Sequence, residues 1–338
     1  ARSPARQDTP WFRYRMRWKR RRLLARALRR RRELQRVSVD EVAISQASFL
    51  AFSTMRNEMA RLPHWLDHYR ALGVPHFLIV DNDSDDGTAD YLAQQPDVSL
   101  WRTGESYKTS RFGVDWLTCL QFRFGHGKWT LTVDADEELV LPMGRALPEL
   151  TEHLDSTGRR AFGALMLDMY PKGALSDVEF EPGGDPFQTL GWFDAHGYRA
   201  SRHPVFDNLW IQGGVRDRMF FGAQPERAPT LNKTPLVKWD RRYAYVTSTH
   251  QILPRELNRV FGHGHPTGVL LHSKFLPVVA EKSAEELIRR QHFENSDLYT
   301  PYYKALIDGP DLWCAESVAY EGPQQLEDLG LMARGDWG

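Results

Sequence analysis

The sequence predicts an α/β fold in which helices cover both faces of a mostly parallel sheet. Three observations support this. Strand-like and helix-like segments alternate between residues 48 and 133, the strands are short apolar runs, and two of them end in acidic clusters. Parallel neighbours need long crossover connections, which are usually helices. The alternation therefore predicts right-handed strand–helix–strand units with a ligand site beyond the carboxyl ends of the strands.

The first strand–helix–strand unit covers residues 48–80. Residues 48–54 form an apolar run of the length and character of a buried strand. Residues 62–72 repeat apolar side chains every three or four positions, with Pro63 in the first turn and Gly73 as the stop. Residues 76–80 are again a short apolar run and predict the second strand.

The same patterns predict the later elements. Residues 180–234 are rich in Gly and Pro but also in Trp, Phe and Arg, so we expect long loops over an active site there. The remaining predicted elements are helices at 89–94, 114–124 and 283–294, and strands at 98–102, 129–133, 243–247 and 268–271.

Composition limits the class of protein. The 338 residues are 41% hydrophobic and 26% charged, which excludes wholesale disorder. Cys119 and Cys314 lie far apart, which excludes a disulfide scaffold and a cysteine-built zinc site and fits a reducing compartment. No apolar run reaches the roughly 18 residues that a membrane-spanning helix needs.

The zero net charge hides an uneven distribution. The first 36 residues contain fifteen Lys and Arg against two acidic residues, and residues 11–36 mix arginines with tryptophan, tyrosine and leucine. Good helix formers without Gly or Pro predict a helix. Such a basic, aromatic helix suits an anionic membrane surface, and a solvated extension is the simpler alternative. Nucleic acid is disfavoured because no sequence-reading motif accompanies the charge.

The acidic clusters are the best candidates for chemistry. Asp134 and Asp136 follow a predicted strand at i and i+2, so their carboxylates point to the same side of an extended chain. They would repel each other unless a cation neutralised them, and such hard oxygen ligands favour Mg²⁺ or Mn²⁺. The chain lacks a phosphate-cradling glycine loop. A metal is therefore a reasonable substitute for neutralising a diphosphate, although an acidic turn after a strand is common.

Three motifs in order resemble the nucleotide-sugar half of the GT-A fold in family-2-like glycosyltransferases. They are the segment 54–58 with its Asn-Glu pair, the turn 81–88 with its Asp-Gly-Thr end, and the Asp-x-Asp motif at Asp134. The resemblance covers about residues 48–145. Weaker similarities to a subgroup of bacterial relatives associated with surface polysaccharides occur at residues 213–218, 231–239, 248–250 and 271–274.

The resemblance implies a metal-dependent, inverting glycosyltransferase that uses a nucleotide-diphosphate sugar, with a UDP-sugar favoured, and Mn²⁺ or Mg²⁺ as cofactor. It also implies a glycan or lipid-linked acceptor in bacterial surface-polysaccharide assembly, at the inner, cytoplasmic face of the membrane. The implied nucleotide-sugar contacts are Thr54, Arg56, Glu58, Asp134 and either Asp81 or Asp83, between which the resemblance does not choose. The implied metal ligands are Asp134, Asp136 and His272.

Positive charge and a base complete the expected site. Arg216, Arg218, Lys233 or Lys274 could contact phosphates, and we place Arg216 and Lys274 in the nucleotide-sugar site. Inverting enzymes use an Asp or Glu base. Asp217 is the favoured candidate and Asp168 the alternative.

Four segments are expected. They are a basic helical arm (1–45), a nucleotide-sugar-binding half (46–145), an acceptor-side half with long loops (146–300) and a C-terminal extension (301–338).

Two other functions remain open. A binding or scaffold protein on the same fold could use the arm to grip a membrane or nucleic acid without turnover. A nucleotidyltransferase also needs a metal at a strand end, but it would usually carry a glycine-rich loop after the first strand. Residues 54–58 contain no glycine.

Overall fold

The computed structural model describes residues 9–262, 264–279, 282–284 and 300–338. Its strands fall into one large sheet and three two-stranded sheets. In chain order the strands are β1 (Gln35–Ser38), β2 (Phe49–Met55), β3 (Phe77–Asp81), β4 (Val98–Arg102), β5 (Trp129–Thr132), β6 (Glu137–Val140), β7 (Ala161–Asp168), β8 (Trp192–Asp194), β9 (Arg199–Arg202), β10 (Leu209–Gln212), β11 (Asn232–Lys238), β12 (Ala244–Thr247), β13 (Gln251–Leu253), β14 (Thr267–His272) and β15 (Ser317–Ala319).

The helices alternate with the strands in the first half and are shorter in the second. They are α1 (Pro10–Arg29), α2 (Glu41–Gln46), α3 (Leu62–Ala71), α4 (Thr88–Ala93), α5 (Val114–Phe124), α6 (Leu147–Ser156), α7 (Pro186–Thr189), α8 (Gly214–Phe220), α9 (Thr300–Ile307) and α10 (Pro323–Asp328). Short 3₁₀ helices lie at Arg30–Glu33, Pro142–Gly144, Leu175–Asp177, Pro225–Arg227 and Arg255–Asn258.

The large sheet has nine strands in the order β1-β4-β3-β2-β5-β11-β7-β14-β6. The strands β2, β3, β4, β5, β7 and β14 run in one direction, and β1, β6 and β11 run in the other. The predicted mostly parallel sheet is therefore confirmed. The carboxyl ends of its six parallel strands lie along the same side of the sheet, and we call this row of strand ends the carboxyl edge.

Helices cover both faces of this sheet. Successive side chains of a strand point to opposite sides, so one strand contributes to a core on each face. Phe49 and Ala51 of β2 belong to a core that includes Trp65 of α3. Leu50 of the same strand packs into a second core with Trp116 of α5. This architecture is consistent with the Rossmann-like GT-A fold that the resemblance implied.

The predicted elements between residues 48 and 133 are all present, with ends within one residue of the prediction. The region 180–234 differs from the expected long loops, since it carries α7, α8 and the short strands β8, β9 and β10. The predicted helix at 283–294 lies almost entirely outside the described residues.

The basic arm packs against the body over its whole helix. Phe12 and Ala27 of α1 are buried, and α1 contacts α5 and β12. Arg26 donates from Nε to Oδ2 of Asp115 at 2.6 Å. After α1, β1 joins the large sheet beside β4, so the segment 1–45 is part of the main fold at its C-terminal end. Within the described part of the chain, none of the helices has both the length and the apolar composition needed to cross a bilayer.

Candidate functional site at the carboxyl edge

Charged side chains from five strands and their loops meet at the carboxyl edge. β5 ends just before Asp134, β7 ends at Asp168 and β14 ends at His272. The antiparallel strands begin at the same edge, where β6 starts with Glu137 and β11 brings in Lys233 as its second residue. Residues far apart in sequence are thus assembled by strand order and register.

A chain of charge-assisted hydrogen bonds crosses this edge. His272 faces Asp136 through Nε2, 3.1 Å from Oδ2, and Asp168 through Nδ1, 2.6 Å from Oδ1. The second oxygen of Asp168 accepts from Nε of Arg216 at 2.7 Å. Asp168, His272 and Arg216 are all buried, so the network lies in a low-dielectric environment where each contact is strong.

This hydrogen-bonded network shifts the pKa values of Asp168, Asp136 and His272. Burial alone would raise the pKa of Asp168, but Arg216 and His272 outweigh it and lower that pKa to about 2. Burial would likewise raise the pKa of Asp136, and the neighbouring His272 holds it well below its usual range instead. Burial lowers the pKa of His272, while Asp136 and Asp168 raise it above the ordinary value. The edge therefore favours two carboxylates with a charged imidazole between them.

A second cluster forms around Lys233. Its Nζ lies 3.1 Å from Oδ2 of Asp134 and 2.8 Å from Oε1 of Glu137. Lys233 is 3% exposed at its side chain, and burial would lower its pKa. The two carboxylates overcome this effect and raise the pKa, so the ammonium stays charged inside the edge.

The backbone of the turn that carries Asp134 and Asp136 is held from α3. Nε1 of Trp65 donates to the carbonyl oxygens of Asp134 and Glu137 at 3.2 and 3.1 Å. The hydroxyl of Tyr69 donates to the same Glu137 carbonyl at 2.9 Å. The Asp-x-Asp motif is thus presented on a rigid turn.

A third contact ties this turn to the segment after β14. The amide of Ser273 donates to the Asp136 carbonyl at 2.8 Å. Nη1 of Arg61 donates to the Ser273 carbonyl at 2.9 Å. Lys274, the next residue, forms no hydrogen bond or ion pair with the described residues, and burial lowers its pKa despite the nearby Asp136.

The predicted nucleotide contacts lie where β2 and β3 end. Nη1 of Arg56 donates to the carbonyl oxygens of Asn82 and Asp83 at 2.9 and 2.6 Å, which joins the two loops. Glu58 accepts from Nζ of Lys282 at 2.5 Å. Thr54 lies below these loops, and its Oγ1 is buried with no partner in the described structure.

The structure distinguishes Asp81 from Asp83. Asp81 is fully buried and accepts from the amide of Ser84 at Oδ2, 3.2 Å away. Its Oδ1 is also buried and accepts no hydrogen bond from any described residue. Asp83 is exposed and pairs with Nη2 of Arg102 at 3.0 Å. An unsatisfied buried oxygen is costly, so Asp81 is the better placed of the two to receive a donor from a ligand.

The two predicted bases have surroundings that do not suit a base. Both oxygens of Asp168 are engaged, by His272 and Arg216, and its low pKa opposes proton uptake. Asp217 lies on α8 with both carboxylate oxygens on Arg199. The geometry therefore favours a positioning role for Asp168 and a surface ion pair for Asp217.

The predicted metal ligands fit a divalent cation only in part. Asp136 and His272 bring a carboxylate oxygen and an imidazole nitrogen together, and Asp168 contacts the other ring nitrogen, as carboxylates often do for metal-bound histidines. Asp134 is turned toward Lys233. Among the residues that the structure describes, no three His, Cys, Asp or Glu side chains are grouped closely enough to hold a metal ion.

Several residues at this edge carried no sequence signal of their own. Trp65 lies in the apolar-periodic helix α3 and Arg61 directly precedes it, and nothing in this segment indicates their contacts with residues 69 and 212 positions later. The pKa of the Tyr107 hydroxyl is raised by burial and then by Asp134 and Asp136, which places this side chain close to the motif.

Comparisons with known proteins give structural neighbours only. No protein-family model and no curated protein matches the chain. Mannosyl-3-phosphoglycerate synthase from Rubrobacter xylanophilus has a TM-score of 0.26 and 23% identity over 37% of this chain and 41% of its own. 4-Diphosphocytidyl-2C-methyl-D-erythritol synthase has a TM-score of 0.25 and 17% identity over 40% of this chain and 65% of its own. The mannosyltransferase Ktr4p from S. cerevisiae has a TM-score of 0.22 and 12% identity over 52% of this chain and 54% of its own.

The chain spans less than two thirds of the length of each of these three proteins. Two of these proteins have names that refer to mannosyl transfer or to the synthesis of a mannosyl compound. At TM-scores this low the likeness carries no argument about activity. The functional argument rests on the residues of the carboxyl edge.

Proposed function

We propose that the chain is a metal-dependent glycosyltransferase that binds a nucleotide-diphosphate sugar, with a UDP-sugar favoured, at the carboxyl edge. The observation that carries the proposal is the position of Asp136 beside His272, with Asp134, Lys233 and Lys274 around them. Carboxylates for a cation and buried positive charges for phosphates thus occur together in one place.

Each part of the donor has a candidate partner. The unsatisfied Oδ1 of Asp81 would accept an N–H of the base, and Thr54 would offer its buried hydroxyl nearby. Lys274 and Arg216 would offset the negative charge of the diphosphate. Nη2 of Arg216 is buried without a hydrogen bond to any described residue, so it could donate one to a phosphate oxygen. Fixed charges that need no rearrangement are the most effective electrostatic aid to a leaving group.

Mn²⁺ or Mg²⁺ would be held by Asp136 and by the neutral imidazole of His272, which would release its Nε2 proton to solvent on binding, and Asp134 would join them on leaving Lys233. When bound, the ion would act as a Lewis acid on the departing diphosphate. Asp168 would keep the His272 ring oriented, with Nδ1 occupied and Nε2 toward Asp136. Transfer to a glycan or lipid-linked acceptor, with inversion and within bacterial surface-polysaccharide assembly, is the reaction that the sequence resemblance suggests.

The test is ligand-induced thermal stabilisation with UDP, GDP, CDP and TDP, each with and without Mn²⁺. At about 100 times Kd, binding adds about 2.7 kcal/mol of stability. We expect a metal-dependent gain with one nucleotide that is lost in Asp136→Ala. Asp67→Ala removes an exposed carboxylate of α3 and should retain the gain.

The alternative functions predict other outcomes of the same experiment. A non-catalytic scaffold would show no nucleotide-dependent gain in a well-folded sample. With the four corresponding nucleoside triphosphates added to the panel, a nucleotidyltransferase would be stabilised by one of them more than by any diphosphate. Either result would refute the transferase proposal in its present form.

Peripheral attachment to the inner face of the membrane is proposed for α1. Trp11, Tyr14 and Trp18 are spaced by three and four residues, which places them on one helix face, and their exposures are 67%, 58% and 55%. This face points away from the buried Phe12 and Ala27, and arginines flank it. Aromatic rings at headgroup depth with surrounding arginines are typical of helices that lie on anionic bilayers.

Sedimentation with vesicles tests the attachment. We expect the chain to sediment with anionic vesicles and the double variant Trp11→Ser/Trp18→Ser to lose most of that binding. Val42→Ser, which changes an exposed apolar side chain outside α1, is the control. Equal binding to neutral and anionic vesicles would contradict the electrostatic part of the proposal.

A further inference from the structure

A groove between α1 and the segment 253–259 is lined mainly by arginines. It encloses about 370 Å³, within the range of small-molecule sites. Its charged lining residues are Arg13, Arg17, Arg20, Arg255, Arg259 and Glu256. Five arginines and one glutamate thus line one space.

Several of these arginines have partners within the protein, but one donor in the groove has no hydrogen-bond partner among the described residues. Nε of Arg259 donates to Oδ2 of Asp207 at 2.6 Å, and the Arg255 guanidinium lies over the ring of Phe12, 4.8 Å from its centre. Nε of Arg20 is buried and has no hydrogen-bond partner among the residues that the structure describes. A buried donor without an acceptor costs free energy that a ligand would recover.

Repulsion between the arginines adds to this cost. Burial lowers the pKa of Arg20, and the nearby Arg242 and Arg17 lower it further, although Glu256 and Asp240 act in the opposite direction. Like charges held together at the rim of a protein favour binding of a counter-charge. The wall formed by α1 also contains Phe12, which is buried against the body of the protein.

We propose that this groove binds a small anion that carries phosphate groups. Guanidinium groups match phosphate oxygens in paired hydrogen bonds, and several of them around one concave space favour a ligand with more than one negative charge. The source is either a free diphosphate-like anion or the headgroup of an anionic phospholipid. The site is separate from the carboxyl edge and does not depend on the transferase proposal.

Binding of inorganic pyrophosphate to the full chain, measured by calorimetry at constant ionic strength, tests the site. The variant Arg17→Gln/Arg20→Gln removes two guanidinium groups from the groove. Arg21→Gln/Arg22→Gln removes the same charge from exposed positions of α1 outside it. Loss of one charged hydrogen bond weakens binding by roughly tenfold. We therefore expect at least a tenfold loss for the first variant and an affinity close to wild type for the second.

Vesicles of phosphatidylcholine with and without phosphatidic acid distinguish the two sources. Binding of pyrophosphate alone, with the stated variant pattern, identifies a free anion as the ligand. In the Trp11→Ser/Trp18→Ser background, which removes most of the attachment through the aromatic face of α1, phosphatidic acid vesicles that bind and are released on adding Arg17→Gln/Arg20→Gln identify a lipid headgroup. Equal losses in the two variants, or no binding of either probe by a wild-type sample with native circular dichroism, would overturn the proposal.

Discussion

Replacing Asp168 by asparagine should destabilise the protein strongly. Asp168 is 4% exposed and is the only described carboxylate in contact with the Arg216 guanidinium, at 2.7 Å. The substitution keeps the size of the side chain but removes its charge. Arg216, itself 6% exposed, would then remain as a buried cation without a counter-charge.

The expected loss follows from these contacts. Breaking a buried ion pair by removing one partner costs about 3–5 kcal/mol. Asp168 also accepts from His272 at 2.6 Å, and a hydrogen bond to a charged group contributes about 1.5–3 kcal/mol. Asparagine can still accept one hydrogen bond, so we expect a loss of about 3–5 kcal/mol in the free energy of unfolding. Proteins of ordinary stability have about 5–15 kcal/mol in total.

Urea unfolding at pH 7, followed by tryptophan fluorescence, measures the effect. Asp217→Asn is the matched control, because it breaks an ion pair with the exposed Arg199 that should be worth less than about 1 kcal/mol. Adding Arg216→Met to Asp168→Asn should recover part of the loss, since the unpaired cation is then gone. Equal losses for Asp168→Asn and Asp217→Asn would refute the idea that the buried network supports the carboxyl edge.

Two further predictions concern the same half of the chain. Burial raises the pKa of Asp97, but the paired hydrogen bonds from Arg70 outweigh burial and lower this pKa below its ordinary value. The contribution of Asp97 to the free energy of unfolding is therefore present above about pH 4 and is lost as the pH falls through the pKa of Asp97 in the folded protein. Asp97→Asn should therefore lower stability at pH 7, and its difference from wild type should shrink below about pH 4 in acid titrations of unfolding; a constant difference would contradict this. Gly113→Ala places a methyl group 2.7 Å from Oγ1 of Thr54 at a φ of +75°, whereas Gly87→Ala meets no atom within 4 Å at a φ of +92°. We expect Gly113→Ala to cost about 1–3 kcal/mol more in thermal unfolding, and equal costs would show that backbone conformation alone decides.

The fold could be predicted where the local pattern and the tertiary environment agree. The strands β2, β3, β4 and β5 are short apolar runs, and each is buried in the sheet as such runs should be. The local pattern does not indicate β11, since Pro235 lies within it and proline normally excludes a central strand. The structure accommodates Pro235 at an irregularity, where the pairing of β11 with β7 shifts register between Lys233 and Leu236.

The acidic half of the candidate site could be predicted from a local pattern, whereas His272, Arg216, Lys233 and Lys274 could be named as candidates but not assigned to particular carboxylates. Asp134 and Asp136 stand at i and i+2 after a strand, so one short segment shows both the motif and its place. The partners of these carboxylates come from elsewhere in the chain. Nothing local in the sequence announces that Lys233 will approach Asp134, because a strand that is antiparallel to its neighbours delivers it to that edge.

The strand order also has a consequence for how the site forms. β11 pairs with β5 on one side and β7 on the other, so two strands made earlier stay apart until it is inserted. Contacts between distant segments form late in folding, and chain synthesis delays the C-terminal partner further. Until then Asp134, Asp136 and Glu137 lack the cations of Lys233 and His272, and their mutual repulsion opposes closure of the turn. A nascent chain released before residue 273 would contain every element of the predicted nucleotide half, yet it would lack the contact that holds Asp136 in place.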